Sequence, residues 1–160
     1  MPVFLRPQAS RAWRFGIRMF VAGALAFAAA CAQGIDRYYV DAGEDIRDVV
    51  SGAWDWDTAV DVCQADMTTF SFSDADNTMI LTHPMPIVAF DGLMHDTFTY
   101  DILEASRNHI RGAIRGETRL TGDGVPVVWD LVLTSRHSFC WHRTDWDRDG
   151  CTDELVRCSD

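Results

Sequence analysis

The sequence predicts an all-β protein. It reads as a small antiparallel meander or closed β-barrel of about eight strands, opened by a short helix and finished by a disulfide-bonded tail. Three observations carry this. Residues 109–120 (HIRGAIRGETRL) alternate strictly between an apolar or small set and a charged set, the period of a half-buried strand. Short runs rich in Thr, Val, Phe and Ile are separated by Asp, Asn and Gly clusters. Four cysteines, Cys63, Cys140, Cys151 and Cys158, lie in the same part of the chain, three of them near its end.

The domain is expected at residues 42–160, preceded by a leader (1–30) and a linker (31–41). The first 30 residues carry Arg6, Arg11, Arg14 and Arg18 and no acid, followed by the apolar stretch Met19–Ala30. A basic start, an apolar middle and a small-residue end make a secretory signal. Arg18 leaves the apolar stretch well short of the ~20 residues a membrane span requires. Ala28-Ala29-Ala30-Cys31 resembles a bacterial lipobox, which would leave Cys31 lipidated at the mature N-terminus. Cleavage after Ala32 would discard Cys31 and give a soluble product, the reading adopted. Either way four cysteines are left, enough for two disulfides. The expected location is therefore the periplasm or the exterior, with membrane contact only through a lipid on Cys31.

Composition narrows the partners. All 14 basic residues are arginine, and removing the four in the leader takes the formal charge from −10 to −14. Such a surface repels phosphate, so a nucleic-acid partner is excluded. An apolar small molecule or another envelope protein fits better.

Taken in order, Ile46, Val49 and Val50 stand at helical spacing, with acids before them and Gly52 after: one short helix. Residues 60–73 and 78–83 read as strands joined by a turn at Asp74–Asn77. Residues 84–96, with two prolines and a glycine, read as a long loop or irregular edge. Phe98, Tyr100 and Ile102 alternate with polar residues. Residues 109–120 then fold about Asp123-Gly124 as a hairpin, setting Leu120 opposite Val127, Thr118 opposite Trp129 and Gly116 opposite Leu131. A turn at Ser135-Arg136 sets Leu131 opposite Cys140 and Trp129 opposite His142. The expected inner face holds Ile110, Ile114, Leu120, Val127, Trp129, Leu131, Leu133 and Cys140. The outer face holds Arg115, Glu117, Arg119, Asp130 and Arg143.

Gly52-x-Trp54 at the first strand, after a short helix, resembles the opening of lipocalin-like barrels. The resemblance implies a small barrel with a ligand cavity. It also implies an arginine near the last strand packed on that tryptophan, for which Arg143 and Arg136 are candidates.

The tail offers the one motif with metal chemistry. Asp145, Asp147 and Asp149 precede Gly150, with Asp153 and the Cys151 carbonyl further on; alternate aspartates can converge on a hard cation such as calcium. The run resembles the calcium loops of EF-hand and thrombospondin type 3 proteins, although Val156 stands where an EF-hand has its bidentate Glu. Zinc on Cys140, His142, Cys151 and Cys158 is disfavoured by the Cys-x-His spacing and the oxidising compartment. A helical Thr152–Arg157 would hold Cys151 and Cys158 about 10 Å apart, beyond disulfide reach, so Cys63 is expected to bond a tail cysteine. A candidate ligand pocket is drawn around Gly112, Gly116, Trp129 and His142, the glycines making room either for a ligand or for large neighbours. No hydrolase or phosphate-loop motif is present. The reading is a non-enzymatic binding protein; the alternative is a small hydrolase with a site near His142.

Overall fold

The computed structural model describes residue 35, residues 37–147 and residues 150–158. Helix α1 (Ile46–Val50) leads into eight strands: β1 (Gly52–Trp56), β2 (Thr68–Ser73), β3 (Thr78–Val88), β4 (Met94–Ala105), β5 (His109–Ile114), β6 (Trp129–Ser135), β7 (Ser138–Arg143) and β8 (Leu155–Arg157). Each strand pairs antiparallel with the next, and β8 returns to β1, so the sheet closes. Closure removes the free edges that an open sheet would expose.

One end of the barrel is sealed. Asp45 caps α1, its carboxylate accepting from the Arg47 N–H at 2.9 Å. Ile46, Val49 and Val50 are buried. The Trp54 indole donates to the Val50 carbonyl at 2.7 Å. Arg157 lies over the Trp54 ring, 5.5 Å from its centroid. Its guanidinium donates to the Val49 carbonyl at 2.5 Å and the Ser51 carbonyl at 2.9 Å. A cation stacked on indole, with its donors spent on the end of a helix, locks three elements together. Gly52 is required there twice over: its φ is +120°, and a Cβ would sit 3.3 Å from the Arg157 Nη2. The arginine on the tryptophan is thus Arg157. Arg143 instead binds Asp145, and Arg136 binds Glu44.

Above this seal the interior is filled by aromatic side chains. Phe139 meets Trp54 edge-on at 4.7 Å and Phe70 at 5.3 Å, and Tyr100 stacks on Trp141 at 5.3 Å and 18°. Phe70, Met79, Ile110, Leu131, Leu133 and Phe139 are at most 1% exposed. A barrel of eight strands is just narrow enough to be filled this way.

Besides the strand expected over residues 60–73, which begins only at Thr68, the strand pattern departs from the sequence reading in three places. First, β5 ends at Ile114: Gly116 takes φ +83° and the Glu117 N–H turns back to the Ile114 carbonyl at 3.0 Å. The expected hairpin shrinks to a single bridge between Leu120 and Pro126, and Leu120 is exposed. Second, β6 and β7 pair with a shift between Leu133 and Ser135, so Leu131 faces Trp141 and Trp129 faces Arg143. That offset by one residue turns Phe139 and Trp141 inward and Cys140 outward, as the period of two demands. Third, of the two readings of residues 84–96 the irregular strand is the nearer. β3 runs on to Val88 and β4 starts at Met94 as a long hairpin with a register shift between Thr82 and Ile87, and only residues 89–93 are a loop.

Two disulfides tie the ends. Cys63–Cys158 joins the β1–β2 connection to the chain after β8, and Cys140–Cys151 clips the tail to the outer side of β7. Residues 155–157 form a strand rather than a helix.

Candidate functional site

The other end of the barrel is open and carries the long connections: residues 57–67, 89–93, 115–128 and 144–154. There the β3–β4 hairpin and residues 115–119 enclose a cleft of about 270 Å³. Its apolar walls are Leu81, Phe98 and Ile114 from the strands and Ile87, Val88 and Phe90 from the hairpin. A second hollow of about 160 Å³ lies beyond Phe90 and Phe98 and reaches His95 and Gly116.

Three polar side chains enter the larger cleft: His83, Tyr100 and Arg119. Tyr100 reaches it from β4, opposite Ile114, and is 7% exposed. Burial pushes its phenol well above the usual range, Arg119 and Glu117 acting as smaller, opposed influences. It therefore stays a neutral O–H group. His83 shares a hydrogen bond with the Thr68 hydroxyl at 2.9 Å through Nδ1. Burial lowers its pKa, so the ring is neutral.

Arg119 is already committed. Its Nε lies 3.0 Å from both Glu117 oxygens and its Nη2 2.6 Å from Oε2. The guanidinium covers the Phe90 ring at 5.8 Å, pinning the hairpin tip across the mouth. The Glu117 side chain is only 3% exposed. Burial raises its pKa, but hydrogen bonds from the Arg119 side chain and backbone outweigh that, and the net shift is downward. The alternation in the sequence had put both residues outside; the Gly116 turn brings them to the mouth.

The residues drawn from the sequence as a ligand pocket do not meet in one place. Gly112 faces inward, and a Cβ there would lie 3.3 Å from the Tyr100 Cβ, so this glycine makes room for the tyrosine. Gly116 lines the smaller hollow. Trp129 is on the inner face, edge-on to Trp141 at 6.4 Å and Trp146 at 5.5 Å. His142 is on the outer face, its Nδ1 against the Gly150 carbonyl.

In the tail loop, Asp145 is held by Arg143 through bonds of 2.5 and 2.6 Å, which lower its pKa. The Asp147 carbonyl accepts from the Gly150 N–H at 2.8 Å. Asp149 lies outside the described residues. Among the described residues no three His, Cys, Asp or Glu side chains come together as metal ligands, and Asp153 joins no such group. The three tail cysteines, Cys140, Cys151 and Cys158, are all spent in disulfides and so are not zinc ligands, in line with the preference for disulfides in the sequence reading.

Sequence reasoning missed the hairpin tip. Its signal was the uncharged run Pro84–Phe90, whose prolines argued for a loop. Met85, Val88, Leu93 and Met94 are more than half exposed there, and Val60 and Val125 on neighbouring connections add to the same end. Exposed apolar surface gathered in one place marks a contact site more often than chance scatter.

Fold and cleft together define a class: a small disulfide-stapled antiparallel barrel with a filled interior, closed by α1 at one end, with surface clefts both beside α1 and at the opposite mouth. No protein-family model, curated protein or solved structure significantly matches the chain.

Proposed function

We propose that this is an exported, lipocalin-like binding module that takes a small apolar ligand at its open mouth rather than in its filled interior. The cleft between the β3–β4 hairpin and residues 115–119 carries the proposal: six apolar side chains line it together with His83, Tyr100 and Arg119, and its open surface is more polar than apolar. At about 270 Å³ it falls just below the ~300–1,000 Å³ typical of drug-sized ligands, so the ligand is compact. The Gly52, Trp54 and Arg157 arrangement supports the lipocalin-like part of the reading. Two disulfides support an oxidising, exported setting.

The leader (1–30) and Cys31 lie outside the described residues. Intact mass of the exported protein reports the cleavage site and any lipid. A hydrolase centred on His142 has less behind it: its Nδ1 is taken by a backbone carbonyl, and no carboxylate hydrogen-bonds it among the described residues. The cleft is tested by titrating the protein with ethylbenzene and acetophenone, following amide shifts by NMR. Val88→Trp, on the exposed hairpin, should fill the cleft and weaken binding at least about tenfold without lowering the melting temperature. Unchanged binding in that variant would remove the cleft from consideration.

A further inference from the structure

Tyr100 and the Nε2 of His83 are the uncharged hydrogen-bonding groups of the cleft without a protein partner among the described residues, and of the two only the Tyr100 hydroxyl is a donor whatever the tautomer. Tyr100 is 7% exposed, lines the cleft, and its ring is fixed by stacking on Trp141 at 5.3 Å. Among the described residues nothing hydrogen-bonds its hydroxyl. The hydroxyl is not among the buried partnerless atoms, which are Arg47 Nε and Trp129 Nε1 in the described residues, so it is open to solvent in the cleft and free to meet an acceptor. We infer that the Tyr100 hydroxyl reads a single hydrogen-bond-accepting oxygen, a carbonyl or ether, on an uncharged apolar ligand.

Charge decides against the other head groups. An anion would look to Arg119, but that guanidinium already holds Glu117 through Nε and Nη2. Displacing Glu117 would strand a carboxylate whose side chain is 3% exposed, which is costly. A cation finds no free acid either, since no Asp or Glu lines the cleft. The imidazole of His83 is neutral and its Nδ1 is engaged with Thr68. What is left is a neutral donor on an apolar wall. The hydroxyl is hydrated before the ligand arrives, so its net effect is modest, about three- to tenfold in affinity.

This rests on the binding role proposed above, and the test separates the two. Four probes share one ring: acetophenone (neutral acceptor), ethylbenzene (no acceptor), benzoate (anion) and phenethylammonium (cation). Dissociation constants are measured by NMR for the oxidised mature protein and for Tyr100→Phe, with melting temperatures confirming that both fold. The expected result is that acetophenone binds the native protein about three- to tenfold tighter than ethylbenzene. In Tyr100→Phe that preference disappears while ethylbenzene binds as before. A preference that is absent, or that survives the substitution, overturns the role of Tyr100 and leaves the binding cleft standing. Tighter binding of benzoate or phenethylammonium overturns the uncharged class. If no probe binds, the inference falls together with the function it rests on.

Discussion

At the α1 end of the barrel the connections are short, residues 74–77, 106–108 and 136–137, while at the other end they run to residues 57–67 and 115–128. The short end spends most of its polar groups on itself: Trp54 indole to helix carbonyl, Arg157 guanidinium to two more carbonyls, Asp45 carboxylate accepting from the Arg47 N–H, with Arg47 Nε left buried and partnerless. The long end leaves Met85, Val88, Leu93 and Met94 in water and the Tyr100 hydroxyl without a protein partner. The contrast separates two tasks. Stability is concentrated where side chains satisfy one another, and recognition is available where they do not.

Removing the disulfides one at a time should show the largest effects. Cys63–Cys158 closes a loop of 95 residues, so its loss should cost about 4–5 kcal/mol by the chain-entropy estimate. Cys140–Cys151 closes only 11, and about 3 kcal/mol is expected. Paired Ser substitutions followed by urea unfolding would measure both. Equal costs would mean that native-state strain, not loop closure, sets their value.

Arg157→Ala should come next, at about 2–3 kcal/mol, because it strands two buried carbonyls and uncovers Trp54. Arg143→Ala, whose partner Asp145 is near the surface of the mouth, should cost under about 1 kcal/mol. Reversed magnitudes would place the structural arginine at the wrong end of the barrel.

Acid sharpens the same contrast. Glu117 and Asp145 have folded pKa values below their ordinary 4.5 and 3.8, because arginine and backbone donors favour the charged forms. Unfolded chains therefore bind protons first, and stability present above about pH 5 should fall as the pH drops from the unfolded values down through the lower folded ones. Glu117→Gln should flatten that part of the profile. A profile identical to the native one would mean that Glu117 gains nothing from Arg119.

Calcium should have the smallest effect. Asp145 is bound to Arg143, and the loop lacks a bidentate Glu. A dissociation constant near ~1 mM would give less than about 1 kcal/mol at a few millimolar calcium. Melting in calcium against magnesium at matched ionic strength checks this; a gain of several kcal/mol would call for a convergent site.

The short helix, the closed meander and the tie from Cys63 to the tail were legible because each rests on local chemistry. Ile46, Val49 and Val50 stand at helical spacing, turn residues follow each strand run, and an even set of cysteines in the domain favours pairing. The pairing frame was not legible. One glycine in the left-handed region at Gly116 ended a strand whose alternation continued to Leu120. A shift at Ser135 exchanged Cys140 for Phe139 and Trp141 on the inner face. Arg157 was passed over as the partner of Trp54 because the strand holding it has only three residues, bounded by cysteine chemistry that masks its period. The cleft was hidden for a related reason: prolines at 84 and 86 signal a loop, yet on a hairpin beyond the rim their missing N–H groups cost little.

The central claim is that the interior is filled and only the mouth receives a ligand. Mapping amide shifts across the folded protein on addition of acetophenone tests it most directly. The account predicts shifts at Val88, Phe90, Phe98, Tyr100, Ile114 and Arg119, with Ile46, Trp54 and Leu133 unmoved. Shifts centred on Trp54 and Phe139, deep in the barrel, would contradict it.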